Sequence, residues 1–507
     1  AAAGTLRLLY MAPERLMTER MLAALRKLPV RLLVVDEAHC ISQWGPAFRP
    51  EYQDLSRLKE IFPDVPIAAL TATADRVTRQ DVMERLFNAA GDCLVLGFDR
   101  PNIRLSVTPK QNPSAQLLHF MAEHRGENGI VYCLSRKKTE STAALLNEHG
   151  IKALPYHAGM EKDARDSNQN TFMTEPGTVM VATIAFGMGI DKSDVRFIFH
   201  ADLPGSIEAY YQEIGRAGRD GAAAQAHMLF GLDDIRLRRL FIEEEGAGDD
   251  RKWREHKRLD ALIGYCESPS CRRQALLAYF GETIDPCGNC DLCQEPVSLR
   301  DGTEEAKKLL SAVYRTGQRF GAAHIVDVVR GADTEKVRKA GHDKLTAFGC
   351  GKALSRKDWQ SLTRQLVAAG FLHLDIQGYG GLIITEKGQG LLRDECSFSY
   401  RQDALTGRKA AGKKPSAQAG KAAVDLDAEA AALLDDLKAL RLRLAKARNV
   451  PAYVIFPDKT LIDMARRAPA DRDAFAEVSG VGQAKLRDFA DSFLEVIAKA
   501  DTDNAQP

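Results

Sequence analysis

Asp36-Glu37-Ala38-His39 closes the apolar run Leu32-Leu33-Val34-Val35. Two adjacent carboxylates at the carboxyl end of a strand suit phosphoryl transfer. The first holds Mg²⁺ through its water shell, and the second orients a water against a γ-phosphate. The same pair also fits a helix N-cap. A second set is Gln212-Glu213-Ile214-Gly215-Arg216-Ala217-Gly218-Arg219-Asp220-Gly221. Its two arginines, three apart, share one face of a helical turn and can meet phosphoryl oxygens in flight. The alternative is a solvated basic turn with glycine stops. The third set is Cys271, Cys287, Cys290 and Cys293, a C-x2-C-x2-C run with one cysteine upstream. Four thiolates suit a closed tetrahedral Zn²⁺ site of structural type. An iron–sulfur cluster also uses C-x2-C-x2-C, but its usual further cysteine and proline do not follow Cys293. Cys266 is the alternative to Cys271 as the fourth ligand.

These groups need rigid elements beneath them. The pattern predicts strands at Leu6–Tyr10, Leu32–Val35 and Ile67–Leu70, the last leading into Thr71-Ala72-Thr73-Ala74. From Asn128 to about Leu262 buried strands alternate with amphipathic helices, as in a parallel α/β lobe. Expected strands there are Ile130–Leu134, Ala153–Tyr156, Thr178–Val181 and Arg196–Phe199, with Ser135 capping a helix to Asn147. Arg272 and Arg273 are expected to head a helix beside the thiols, or to form a solvated basic face.

Glu304 to Glu395 reads as a winged helix. Ser355-Arg356-Lys357-Asp358 has capping-box spacing, and Trp359, Leu362, Leu366 and Val367 form an apolar stripe ending at Gly370. Strands Phe371–Ile376 and Leu382–Thr385 flank a Gly-rich tip that carries Tyr379. Tyr379 is a wedge candidate or an exposed turn residue. Lys344, Arg356 and Lys357, with neighbouring basic residues, offer a positive surface to phosphates. Residues 401–423 are Ala-, Gly- and Lys-rich without periodicity and read as a flexible basic linker. Beyond it a helix is expected over Leu426–Lys446, and Gly480 and Gly482 open a further helix near Lys485 whose N–H groups can take a phosphate.

With 507 residues the chain is too long for one core. No uninterrupted apolar stretch approaches about 18 residues, so no membrane span is expected. The net charge of +1 excludes a uniformly basic nucleic-acid binder and leaves local patches for any DNA contact. Of ten cysteines, five lie between Cys266 and Cys293 and the others are scattered, which points to a reducing compartment and a metal cluster.

The tetrad at 36–39, Thr71–Ala74, Ala182-Thr183-Ile184-Ala185-Phe186-Gly187-Met188-Gly189-Ile190-Asp191 and the Arg216 segment resemble, in this order, motifs of superfamily 2 helicases. Cys40-Ile41-Ser42-Gln43-Trp44-Gly45 through Phe48-Arg49-Pro50-Glu51-Tyr52 narrows the resemblance to the aromatic-rich loop of RecQ DNA helicases. Pro46-Ala47 stands where many members carry a His-Asp pair. Cys271-Arg272-Arg273 also resembles the family and favours Cys271 as the fourth zinc ligand. Val450–Phe456 with Gly480-Val481-Gly482 resembles the small helical HRDC domain.

The resemblance implies an α/β protein with two RecA-like parallel-sheet lobes, the first incomplete, followed by a zinc-binding helical subdomain, a winged-helix domain and an all-α HRDC domain. The expected divisions are 1–98, 99–262, 263–298, 299–397, a linker at 398–424, and 425–507. It implies an ATP-dependent 3′ to 5′ DNA helicase of repair and recombination. Asp36, Glu37, Arg216 and Arg219 would be catalytic, and His39, Thr71, Thr73, Asp191 and Gln212 would serve ATP and lobe closure. DNA would meet Trp44, Phe48, Arg49, Lys344, Arg356, Lys357, Tyr379 and Lys485. Expected cofactors are structural Zn²⁺ and Mg²⁺ with ATP. Single-stranded and junction DNA, ATP and a single-strand-binding protein are the expected partners of a cytoplasmic, nucleoid-associated monomer. An RNA helicase is the rival enzyme, disfavoured by the winged helix, the thiol cluster and the Trp44 loop. No G-x-x-x-x-G-K-[ST] loop occurs; Gly349-Cys350-Gly351-Lys352 is nearest, but Ala353 follows it. A chain beginning inside its first lobe is therefore expected, and 507 residues that bind DNA without hydrolysing ATP are the alternative to a helicase.

Overall fold

The computed structural model describes residues 6–42, 50–74, 76–187, 190–244, 248–374, 381–401, 428–448, 450 and 452–503. Trp44, Phe48, Arg49 and Tyr379 lie outside these residues. Two compact units divide the chain. The first comprises Ala1–Asp99, Gly205–Gln212 and Ile235–Gln402, and the second Arg100–Pro204, Glu213–Asp234 and Asp403–Pro507.

In the first unit, β1 (Leu33–Val35) pairs in parallel with β2 (Ile67–Ala69), placing Asp36 and Thr71 beyond the carboxyl ends of neighbouring strands. The β1 register sends Val35 inward with Ala38, Ile41, Leu55, Leu58, Phe62, Val82 and Leu86. Leu32 and Val34 are about half exposed, so β1 is buried on one face and not throughout as its unbroken apolar run suggests. The expected strand at Leu6–Tyr10 is also absent: residues 6–12 are irregular, Leu8 and Tyr10 are exposed, and a short helix follows at Pro13–Leu16. An extended run gains strand pairing only where a partner edge supplies hydrogen bonds, and none is assigned to it among the described residues.

The later part of this unit is the helix Asp249–Glu267, the thiol-bearing segment and a winged helix. In the winged helix, helices Thr303–Arg315, Ala322–Arg330 and Arg356–Ala368 pack on one another and lead to the antiparallel pair of strands Leu372–Leu374 and Leu382–Ile384. The Ser355–Asp358 capping box is reciprocal, and Trp359, Leu362, Leu366 and Val367 are buried. Trp359 donates its indole N–H to the Gly351 carbonyl at 2.8 Å, and a Cβ on Gly351 would lie 2.3 Å from that ring. Gly351 therefore serves core packing. Glu267, buried, joins the thiol-bearing segment to the winged helix: it accepts from Arg364 at 3.0 Å and Arg401 at 2.8 Å. Truncating one member would strand a buried charge, at about 3–5 kcal/mol.

The second unit holds a six-stranded, wholly parallel sheet in the order β3-β8-β7-β4-β6-β5. Its strands are β3 (Ile103–Pro109), β4 (Asn128–Tyr132), β5 (Ala153–Tyr156), β6 (Val179–Ala182), β7 (Val195–His200) and β8 (Ala224–Phe230). Val131, Val179, Val181, Phe197 and Phe199 sit in its core, which explains their continuous apolar runs. Ser135 caps the helix Arg136–Glu148 as its hydroxyl spacing predicts. The helices from Ala428 to Asp503 bury their own core around Leu437, Phe456, Phe475 and Phe493. No helix among the described residues is long and apolar enough to cross a membrane.

Candidate functional site

The turn after β1 is tightly organised. Glu37 adopts a left-handed backbone (φ 48°), uncommon for a residue with a Cβ, and its N–H donates to Asp36 Oδ1 at 2.9 Å. The Ala38 N–H then reaches the Leu70 carbonyl at 2.9 Å, and Leu70 N–H returns to Val35. Asp36 is exposed and Glu37 half-buried, so both carboxylates remain at the strand end with room for a ligand. The helix-cap alternative does not hold: Glu37 heads the short 3₁₀ turn Ala38–Ile41 without a capping hydrogen bond from its side chain.

His39 is buried beneath this pair. Its Nδ1 lies 3.0 Å from Thr71 Oγ1 and 3.3 Å from Glu37 Oε2. Burial pushes the ring down to about 4, against an opposing pull from the Asp36 carboxylate. The ring is therefore neutral at physiological pH. With the ring uncharged, the 3.3 Å approach to Glu37 is a polar contact and not an ion pair. The unfolded ring, near 6.5, binds a proton that the folded ring refuses, so stability rises with pH between about 4 and 6.5. His39→Gln should flatten that acid limb by up to about 3 kcal/mol. Urea midpoints at pH 4.5 and 7 measure it, and an unchanged difference between the two would show that His39 is not the titrating group.

Thr73 is buried, and its hydroxyl accepts from Gln212 Nε2 at 3.1 Å. Thr71, Thr73, His39, Glu37 and Gln212 thus form one connected set within the first unit. In the second unit, both arginines meet the segment after β6. Arg216 Nη1 donates to the Gly187 carbonyl, and Arg219 Nη1 pairs with Asp191 at 2.6 Å. Arg216 Nε is buried without a partner among the described residues.

The cysteines converge as their spacing predicts. All four Sγ atoms of Cys271, Cys287, Cys290 and Cys293 lie within 4.8 Å of one another. Cys287–Cys293 is 4.0 Å and Cys271–Cys290 is 3.9 Å. A tetrahedron with Zn–S bonds of about 2.3 Å has edges of about 3.8 Å, so one zinc ion fits. Several irons with bridging sulfides would spread the thiolates farther, which removes the iron–sulfur alternative. Cys266 stands outside the cluster. Burial raises the Cys271 thiol, but N–H donors from Cys287 and Gln274 outweigh it and bring the group down to about 7.

Arg272 and Arg273 do head a helix, Arg272–Tyr279, but the solvated alternative fails. Arg272 is buried, with Nε on both Asp291 oxygens (2.8 and 2.9 Å) and Nη1 on the Tyr265 and Cys266 carbonyls. Arg273 pairs with Asp99 at 3.0 Å. A buried guanidinium survives only when its donors are matched, and acceptors 6 to 19 residues away in sequence match them here.

Among the candidate DNA contacts, Lys344, Arg356 and Lys357 are exposed on the winged helix, with Arg356 also 3.5 Å from Asp327. Lys485 sits 5.2 Å from the Phe456 ring centre, its amine pushed down by burial. It therefore packs on the C-terminal core as well as standing in the first turn of the helix Gln483–Asp503.

The sequence reading passed over Phe98-Asp99. Phe98 N–H donates to Glu282 at 2.8 Å, its carbonyl accepts from Tyr211 at 2.9 Å, and its ring stacks on Phe280 at 4.6 Å. A charged run flanking a proline between two lobes was its only local signal.

Family models match five consecutive stretches: DEAD/DEAH box helicase at 1–82, helicase conserved C-terminal domain at 112–221, RecQ zinc-binding at 232–294, RQC domain at 296–409 and HRDC domain at 430–497. The chain is 41% identical over 499 residues to the ATP-dependent DNA helicase RecQ of Pasteurella multocida, covering 97% of this chain and 77% of that one. The Haemophilus influenzae protein of that name is 41% identical over 507 residues, covering 99% and 81%. The Bacillus subtilis protein is 34% identical over 496 residues, covering 97% and 81%.

Proposed function

The chain belongs to the RecQ family of ATP-dependent DNA helicases, and from that premise we propose that it unwinds DNA 3′ to 5′ from single-stranded tails and junctions, in repair and recombination. The observation that carries the catalytic part is the set at the ends of β1 and β2, where the strained Glu37 turn, His39 and Thr71 are joined within hydrogen-bonding distance. Glu37 orients the attacking water, and neutral His39 holds its carboxylate against Thr71. Thr73 and Gln212 relay closure of the lobes, with Asp191 serving as the resting partner of Arg219. Arg216 and Arg219 place donors on the transferring phosphoryl group. The exposed Asp36 carboxylate fits Mg²⁺ bound with ATP, which neutralises phosphate charge. We assign 1–98 and 99–262 to the two lobes, 263–298 to the zinc subdomain and 425–507 to the HRDC domain. The linker expected from 398 starts only after Arg401, because Ser399–Arg401 pairs with Leu299–Asp301 and Arg401 is buried, so 299–401 goes to the winged helix and 402–424 to the linker.

Trp44, Phe48 and Arg49 follow Glu37 within one short segment, so a base stacked there can bias the catalytic carboxylate without a long relay. Stacking worth about 1–3 kcal/mol per base is enough to select between two loop states. Lys344, Arg356 and Lys357 supply separate phosphate contacts, Tyr379 is a wedge candidate, and Lys485 a minor contact. The test uses a helicase carrying these 507 residues together with a phosphate-binding loop, on tailed duplexes and in ATPase titrations with single strands. Unwinding should require a 3′ tail. Trp44→Ala should remove most DNA stimulation of ATPase while DNA affinity falls only modestly. Equal fold-stimulation in both proteins would refute the coupling, and unwinding from 5′ tails alone would refute the polarity.

A further inference from the structure

Arg216 and Arg219 lie on a glycine-bounded loop, and such a loop does not hold a guanidinium in place by itself. Its carbonyls are held from Arg100 and Asn102, more than 110 residues earlier in the chain. Arg100 Nη1 donates to the Gly215 carbonyl at 3.1 Å, and Nη2 donates to those of Ala217 (2.9 Å) and Gly218 (3.1 Å). Two residues on, across Pro101, Asn102 Nδ2 donates to Gly218 and Ala222, both at 2.9 Å. Four of these five donor bonds hold the carbonyls of the residues on either side of Arg216 and before Arg219, and the fifth holds Ala222 beyond it. Gly218 takes φ +57°, and a Cβ there would lie 2.4 Å from Asn102 Nδ2, so the close approach itself requires glycine. The loop's leading end is fixed separately, by buried His200 on Glu213 at 2.7 Å. A planar guanidinium suits this task because its fork meets several acceptors at fixed angles.

We propose that Arg100 and Asn102 are positioning residues for ATP hydrolysis, holding the loop Gly215–Gly218 so that Arg216 and Arg219 face the phosphoryl group. The proposal rests on the reading of those two arginines given above. A displacement of about 1 Å at such a group costs up to about 100-fold in rate.

The experiment has two readouts. On the 507-residue chain, Arg100→Gln should raise amide exchange at residues 215–222 and leave zinc content unchanged. In the helicase with its phosphate-binding loop, Arg100→Gln should lower kcat about 10- to 100-fold with the KM for ATP within about twofold. Arg100→Lys should recover part of the rate, and adding Arg100→Gln to Arg219→Ala should cost little more than Arg219→Ala alone. Asn102→Ala, expected to give a smaller loss of the same kind, serves if Arg100→Gln fails to fold. Full kcat in Arg100→Gln or Asn102→Ala, with Arg219→Ala inactive, would overturn the proposal, as would losses that multiply in the double variant. Full activity in both Arg216→Ala and Arg219→Ala would instead remove the reading on which it rests, while the exchange result still reports whether the loop is held.

Discussion

Glu37→Gln is expected to lower ATP turnover about 10²- to 10⁴-fold while nucleotide binding stays close to that of the parent helicase. The amide is nearly isosteric and keeps an oxygen beside His39 Nδ1, 3.3 Å from the carboxylate in the parent. What it loses is the basicity that orients and deprotonates water. The left-handed backbone at residue 37 is set by the Asp36 and Leu70 hydrogen bonds around it, so the substitution should leave the turn in place. Single-turnover hydrolysis and nucleotide titration on the same preparation separate the two effects. Unchanged turnover would transfer the base to another residue. Lost binding with lost turnover would mean that Glu37 is a structural part of the turn.

Cys290→Ser should have an effect of comparable size on folding. Cys290 is wholly buried and its Sγ is 3.9 Å from that of Cys271. Zinc on thiolate sites contributes about 10–16 kcal/mol to folding of small zinc-finger peptides, as much as the whole stability of a typical domain. A serine hydroxyl does not replace a thiolate, so the segment around 266–298 should lose its metal and open to protease. The loss should spread, because Asp291, next in sequence, holds Arg272, and the following residue Arg273 holds Asp99. Cys266→Ser is the matched control: equally buried, outside the cluster, and expected to keep one zinc per chain. Metal analysis with limited proteolysis decides the matter. Stoichiometric zinc in Cys290→Ser, or iron with visible absorbance in the parent, would refute the assignment.

Much of this protein was legible in its residue order because the relevant physics is local. Thiolates three residues apart can share one metal whatever surrounds them. The Ser355 capping box and the Trp359–Val367 stripe follow from helical period alone. The unbroken apolar runs at Ile130, Val179 and Phe197, alternating with amphipathic helices, read as buried parallel strands. These carried the fold class and the thiol cluster; the motifs in their order carried the family resemblance, and the thiol geometry decided zinc over an iron–sulfur cluster.

Tertiary structure decided everything that depends on which distant group arrives. Arg272 reads as a surface cation until Asp291 and two carbonyls close around it. His39 is only the last letter of a tetrad in the sequence; burial takes its charge, and Thr71, 32 residues on, gives it a partner. Leu6–Tyr10 has strand composition but no neighbouring edge to pair with among the described residues. Arg100 and Asn102 carry no local signal, since their acceptors lie 115 to 120 residues downstream. Periodicity and ligand spacing are properties of the covalent chain, readable in order. Desolvation and hydrogen-bond satisfaction belong to the packed state, where each buried charge takes its meaning from its neighbours.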